Sequence, residues 1–416
     1  MGDRHLVMQG MNDDDHFAYA GETPALLRWM RNVSGPDWRW AVKRLRGNDT
    51  LLTESHQGGP YLSRAIVFDL FPSIAAAAGE IGTRVIPATI DSHGGARDIN
   101  VKWYPSKSEG RLTGWGGKQS PLLDPEATGS VVIFAFHQSH GADADGCRTW
   151  LCSSVEEEET VEDRVGPIDP GVLILSDAGG VHSIEASHAA DLPCRLTQDE
   201  LPAEWRYDFP RAAEIVAMTA LRLPSALQLS PDVRLLRRRE CEYEVFRSIE
   251  EIVSLPRILE GFATVDIFAA FANRFTNRRR SRAGASLGLQ TSMVFREEML
   301  PHSYDAVSER NKRPDFLFPS AQAYHEASND DGLTVLAAKT TCKDRWRQIL
   351  NEADKIPVKH LLTLQEGVSI NQHQEMEEAG VVLVVPADLH DYYPEAIKPK
   401  LLSLTAFIEQ TRARFT

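Results

Sequence analysis

Two short apolar runs with charged ends set the strongest limit on how this chain can fold. Phe316-Leu317-Phe318 follows Pro314-Asp315, and Leu333 to Ala338 ends at Lys339. Each reads as a short buried strand bounded by polar residues. Paired in one sheet, they bring Asp315 and Lys339 to a common rim. Then come Thr340-Thr341-Cys342-Lys343-Asp344-Arg345-Trp346 and a segment, Arg347 to Lys355, that reads as helical and carries Glu352. Trp346, Ile349, Leu350 and Ala353 recur at helical spacing as an apolar stripe, leaving Arg345 and Glu352 together on another face.

An acid at one strand start, a lysine at the next strand end and a second acid beyond it suit hydrolysis of a phosphodiester. That anion repels hydroxide, so the reaction needs local positive charge and an activated water. A divalent cation provides both, and hard oxygen ligands such as Asp315 favour Mg²⁺. A lysine ammonium at roughly 4 Å from the phosphate, in an effective dielectric near 20, contributes about 4 kcal/mol before desolvation. Taken singly, the same residues also describe solvated strand ends, and Lys343-Asp344-Arg345-Trp346 a charged helix start.

The 416 residues suggest two domains, or three, of ordinary globular composition, 42% hydrophobic and 25% charged. No apolar run approaches the roughly 20 residues of a membrane span, and Met1 to His5 lacks the basic-then-apolar start of a secretory signal. Five cysteines point to a reducing cytoplasm rather than a disulfide framework. The net charge of −14 argues against nucleic acid as a partner, but its distribution does not. Acid gathers in Glu156 to Glu159 with Glu162 and Asp163. Base gathers in Arg237-Arg238-Arg239 and in Arg274, Arg278, Arg279, Arg280 and Arg282. The second cluster is dense enough to read as a phosphate-tracking surface.

Along the chain, residues 1–35 read as a polar extension and 36–191 as short strands between Gly, Pro and Asp turns, a barrel-like β domain. Residues 192–204 read as a linker. Residues 205–416 begin with helices (Arg211–Leu221, Cys241–Leu255, Val265–Phe275, Gly284–Met299), continue as a mixed sheet covered by helices, and end in a helix over Lys398–Arg414. His137, His140, Cys147 and Cys152 have spacing at the edge of a zinc site and are taken as hairpin residues.

The runs K-T-T-C-K-D-R-W-R-Q-I-L-N-E-A-D-K-I (Lys339 to Ile356), K-H-L-L-T-L-Q-E-G-V-S (Lys359 to Ser369) and P-D-F-L-F-P-S-A-x-A-Y-H (Pro314 to His325) resemble the catalytic domain of EcoRII-type restriction endonucleases. N-R-R-x-S-R-A-G-x-S-L (Asn277 to Leu287) is similar too, as are N-D-T, H-Q-x-G-x-Y, L-F-P-S and S-P-L-x-D-P-E-x-T-G in the N-terminal half. The resemblance runs from about Val42 to the C-terminus. It implies a PD-(D/E)XK nuclease fold, α/β and mixed, behind an N-terminal β-rich pseudobarrel. The implied activity is Mg²⁺-dependent, homodimeric cleavage of double-stranded DNA at CCWGG, where W is A or T. The N-terminal domain would bind a second copy of the site and otherwise block the catalytic cleft, and a cognate cytosine methyltransferase is the expected genetic companion.

Carried across position by position, Asp315 and Glu352 would be metal ligands and Lys339 the catalytic lysine, with Tyr324 orienting a phosphate or water. Lys343, Asp344 and Arg345 would read base edges and Arg239 line a flipped-base pocket. Arg278, Arg279, Arg280 and Arg282 would follow the backbone. His56, Gln57, Tyr61, Lys107, Glu109 and Arg111 match the second DNA-binding surface. Two departures stand out. Gly288 follows Ser286-Leu287 where the family has a Glu, and Gly110 stands where it has a lysine. The first leaves open a decayed, binding-only protein of the same fold.

Overall fold

The structure, a computed structural model, describes residues 24–53, 59–139, 141–177, 180–186, 194–343 and 345–415. The N-terminal half is one curved sheet of nine described strands: β1 (Trp38–Arg44), β2 (Tyr61–Ser63), β3 (Gly82–Ile90), β4 (Ala96–Tyr104), β5 (Glu109–Thr113), β6 (Val131–His137), β7 (Gly146–Leu151), β8 (Val172–Asp177) and β9 (Gly180–Ala186). Their order is β2-β5-β4-β3-β7-β6-β1-β8-β9, with only the β3–β7 pair parallel. This is a nearly closed barrel.

The uninterrupted apolar run of β6 has a plain cause: both of its faces are covered. Val132, Phe134 and Phe136 point into the barrel, packing with Ile86, Val101 and Leu112. Val131, Ile133 and Ala135 point outward, under α1 (Pro24–Asn32) and α4 (Val155–Val165). Helix α1 lies within the stretch read as an extension. Its Leu26, Trp29 and Met30 are buried beside Trp40 and Trp150, so residues from 24 onward belong to the folded domain. Two shorter helices, α2 (Arg64–Leu70) and α3 (Pro72–Ala76), close the barrel's other side.

Cys194 to Trp205, largely inside the expected linker, is packed rather than free. Leu196, Leu201 and Trp205 share a core with α5 (Ala212–Arg222) and α6 (Pro231–Glu260). Cys194 is disulfide-bonded to Cys241 of α6, a bond that the expectation of a reducing cytoplasm rather than a disulfide framework did not include; Cys147, Cys152 and Cys342 are in no disulfide. The two helices expected over Val265–Phe275 and Gly284–Met299 are one continuous helix, α7 (Val265–Glu297). The arginine run between them does not break it, since Arg is a good helix former.

The C-terminal sheet is mixed, in the order β10-β11-β12-β13-β14. Strands β10 (Ser303–Tyr304), β11 (Phe316–Phe318) and β12 (Thr334–Lys339) are antiparallel; β12, β13 (Lys359–Thr363) and β14 (Val381–Val384) are parallel. Phe295 of α7 sits edge-on to Phe316 and Phe318 at centroid distances of 5.2 and 5.3 Å, pairings worth about 0.5–1.5 kcal/mol each beyond area burial. Helices α8 (Ala321–Glu326), α9 (Ile370–Glu378) and α10 (Leu404–Ala413) complete the half.

Candidate active site

Register decides the site. In the antiparallel β11–β12 pair Phe316 faces Leu336, so Asp315, one residue before β11, reaches the end of β12. Its carboxylate accepts hydrogen bonds from the Ala338 amide (2.8 Å) and the Lys339 ammonium (3.1 Å). Both side chains remain partly open to solvent, 27% and 24% exposed, so the pair lines a surface rim.

Glu352 arrives differently from expectation. The segment after Trp346 is a short 3-10 turn, Trp346–Asn351, and Glu352 caps it with extended backbone. Ala353 follows with φ 49°. The Lys359 ammonium holds this turn, donating to the carbonyls of Glu352 (2.5 Å), Ala353 (2.7 Å) and Ile356 (2.5 Å). The result directs the Glu352 carboxyl toward Asp315 and Lys339. Burial pushes that carboxyl up from its ordinary range, against the Lys339 charge and helped by Asp315. One of its oxygens is buried with no hydrogen-bond partner among the described residues.

Tyr324 does not face this rim. It is buried beneath the sheet with Leu317 and Val335, and its hydroxyl donates to Glu309. Glu309 accepts from the Asp354 amide at 2.7 Å. Tyr324 thus braces the turn that follows Glu352, and in this structure its hydroxyl is committed to Glu309 rather than open to a phosphate or water. Glu297, at the end of α7, and Glu298, which caps it, are the nearest acids beyond Gly288 and are tied to Arg234 and Arg238.

The expected base readers stand between the two halves of the molecule. Gln365 shapes their loop by accepting from the Cys342 and Lys343 amides, at 3.0 and 3.1 Å. The Lys343 ammonium donates to Ser130 of the N-terminal half (2.5 Å), Arg345 is exposed, and Asp344 lies outside the described residues. Arg239 bonds Ser286 (2.9 Å) and pairs with Asp169 (3.2 Å). In the arginine run, Arg278 stacks over Phe209 (4.2 Å), Arg279 binds Glu250, Arg280 pairs with Asp163, and Arg282 is buried between Glu242 and Asp169. These arginines are therefore not a free cationic stripe in this state.

A cavity of about 270 Å³ in the N-terminal half is lined by Arg46, Tyr61, Lys107, Glu109, Arg111 and, from the other half, Tyr392. Below it lies a buried Lys43–Asp49 pair at 2.5 Å, where burial pulls Lys43 down to about 8 against the Asp49 charge. His56 and Gln57 lie outside the described residues. Gly110 faces inward: a Cβ there would meet Val67 at 2.3 Å, so no side chain extends from it into the cavity. Arg46 is also joined to Glu366 of the C-terminal half at 2.7 Å. His137 pairs with Asp145, and Cys147 and Cys152 pack into cores on opposite faces of the sheet, His140 being outside the described residues.

A five-stranded mixed sheet with an acid, a lysine and a second acid gathered on its rim is the PD-(D/E)XK restriction-endonuclease fold. Residues 246–408 match the family described as EcoRII C terminal, and residues 34–180 that described as Restriction endonuclease EcoRII, N-terminal. The chain is 41% identical over 392 residues to the type II restriction enzyme EcoRII of Escherichia coli, spanning 92% of this chain and 96% of that enzyme. It belongs to the EcoRII family of type II restriction endonucleases. Similar solved structures include the restriction endonuclease PspGI with substrate DNA (TM-score 0.42, 14% identity, 53% of this chain and 97% of that one). Metal-depleted Ecl18kI with uncleaved, modified DNA has TM-score 0.42 and 19% identity, over 53% of this chain and 85% of that one.

Proposed function

We propose that this enzyme hydrolyses double-stranded DNA at CCWGG with Mg²⁺, as a homodimer, and that its N-terminal domain binds a second site and holds the catalytic half closed until it does. The Asp315, Lys339 and Glu352 rim carries the chemistry. Its residues fit a hard divalent ion: two carboxylates, one with a buried oxygen that lacks any other described partner, an arrangement that is costly without a compensating cation. Asp315 and Glu352 would hold the ion, which supplies charge neutralisation and an acidified water. Lys339, fixed by Asp315, orients the attacking water and offsets the phosphate charge.

Lys343, Asp344 and Arg345 then read the C·G pairs. Arg binds guanine through two hydrogen bonds and Asp accepts from the cytosine amino group, each worth about 1–3 kcal/mol of discrimination. Arg239 lines the pocket for a flipped central base, and Arg278, Arg279, Arg280 and Arg282 follow the phosphates. His56, Gln57, Tyr61, Lys107, Glu109 and Arg111 take the second duplex. Closure is supported by where the reading groups now sit: Lys343 on Ser130, Arg239 and Arg282 on Asp169, Arg280 on Asp163. A cytosine methyltransferase would protect the host's own sites in the same cytoplasm. The rival is a binding protein that has lost catalysis, and Gly288 is what favours it.

Digestion of unmethylated plasmid carrying several CCWGG sites, with Mg²⁺ and with EDTA, tests the reading. The expected outcome is discrete fragments ending at those sites with Mg²⁺ alone, and retained binding but no fragments for Lys339→Ala. Intact DNA that is nonetheless retarded in a gel establishes the rival. Fragments mapping elsewhere discard the specificity.

A further inference from the structure

Gly288 and Tyr304 occupy one space. A Cβ built on Gly288 would lie 2.6 Å from the Tyr304 hydroxyl oxygen, 2.9 Å from Cε2 and 3.1 Å from Cζ. Real side chains do not approach so closely, so the phenol stands where any residue at 288 would begin. Two features fix the ring. Tyr304 pairs with Phe316 across the β10–β11 ladder, and the two rings meet at 5.2 Å. The Asp305 amide also donates to the Asp315 carbonyl at 3.0 Å, locking the Tyr304 turn to the residue that opens the active-site rim.

The hydroxyl itself makes no hydrogen bond to any described residue, although the ring is half-buried. One helical turn beyond Gly288 on the same face of α7, the Thr291 hydroxyl is buried without a partner among the described residues. Buried hydroxyls ordinarily find partners in protein or ordered water. The unpartnered Thr291 hydroxyl and the partly open Tyr304 hydroxyl, which feels the Asp315 charge, mark a place for water or for substrate oxygen.

We propose that Tyr304 is a positioning residue of the nuclease site: its hydroxyl, standing over Gly288, donates to the water shell on the Asp315 side of the bound divalent ion. Gly288 is glycine because the phenol takes its side-chain space. The inference rests on the assignment of Asp315, Lys339 and Glu352 to phosphodiester hydrolysis. It assigns Gly288 to a rebuilt site rather than to a lost one.

Full-length Tyr304→Phe keeps the ring and removes the donor. Two readouts apply: half-saturating Mg²⁺ for cleavage, and the strengthening of CCWGG duplex binding by Ca²⁺, followed by fluorescence anisotropy without turnover. The variant should need about tenfold more of either ion, a factor equivalent to about 1.4 kcal/mol and the size of one lost hydrogen bond. Its binding in EDTA and its unfolding midpoint should match the parent. Gly288→Glu should also raise the ion requirement by displacing the ring, and the double variant Gly288→Glu/Tyr304→Ala should do better than the sum of its parts, as residues sharing one space do. Parental ion dependence in Tyr304→Phe, or strict additivity in the double variant, overturns the proposal. Lys339→Ala and Glu352→Gln run alongside separate the two layers. Cleavage retained by both would sink the nuclease assignment itself, whereas cleavage lost by both with Tyr304→Phe unchanged would sink the Tyr304 role alone.

Discussion

Single residues here show how burial decides chemistry. His360 lies near the start of β13, its ring against Phe407 and its Nδ1 on the Val335 carbonyl at 3.2 Å. Burial pulls its imidazole down to about 4, the backbone bond opposing. The folded chain therefore keeps it neutral where the unfolded chain, with an ordinary value near 6.5, takes up a proton. Stability from this group is complete above about pH 6.5 and is lost as pH falls toward 4, up to about 3 kcal/mol. Urea unfolding at pH 7 and pH 4.5 should show a smaller acid loss in His360→Gln than in the parent; equal losses would exonerate the histidine. Legibility at this scale was uneven. Asp315 and Lys339 were readable because apolar runs mark strand ends directly. Tyr304 was not, because its partner Gly288 meets it only through the packing of α7 on β10. Tyr324 was not readable either, since a tyrosine in a matched run looks the same whether its hydroxyl meets substrate or, as here, Glu309.

Elements are held by caps as much as by cores. Asp232, buried in the first turn of α6, accepts from the amides of Ala387 (3.1 Å), Leu404 (2.7 Å) and Thr405 (3.0 Å) and from the Thr405 hydroxyl. One carboxylate thereby anchors the start of α10 to the long helix α6. Asp232→Ala leaves those buried donors unpaired and should destabilise the C-terminal half by about 2–4 kcal/mol. Asp232→Asn should cost less, because its carbonyl still accepts. Chemical denaturation checks both, and an alanine loss below about 1 kcal/mol would count against the anchor. The turn that carries Glu352 teaches the limit of periodicity. Trp346, Ile349 and Ala353 are buried at helical spacing, yet the chain there is a 3-10 turn. The Lys359 ammonium claims the carbonyls of Glu352, Ala353 and Ile356, and no apolar pattern encodes that long side chain's reach. In α5 the pattern holds, because one face of the expected helix over Arg211–Leu221 meets a continuous core.

At the scale of the whole molecule, two halves are joined by charge. Asp163 and Asp169 in the N-terminal half meet Arg280, Arg239 and Arg282 in the other; Arg46 returns the gesture to Glu366. The overall acidity of the chain, which argued against a DNA partner, is partly this internal occupation of its own arginines. Exposed pairs contribute little, about 0–1 kcal/mol, so Asp163→Asn alone should change little. Asp169→Asn removes the charged partner in the other half from two arginines of which one is 9% and the other 6% exposed, leaving Arg239 on Ser286 and Arg282 on Glu242. A shift of about 1.4 kcal/mol in the opening equilibrium should then raise cleavage of a DNA with one CCWGG site about tenfold. Initial rates on such a substrate decide it: a rate at or below the parent's would show that Asp169 does not hold the halves closed.

The grip of Ser130 on the Lys343 ammonium has a consequence in time. In the role proposed for it, a reading group employed at home would be blind to most of the DNA that brushes past it. Affinity is scaled down by the fraction of molecules that are open, and brief collisions end before the hand is free. Only a duplex that lingers would then be read, so the proposed closed pose would filter encounters by their duration before any base is inspected.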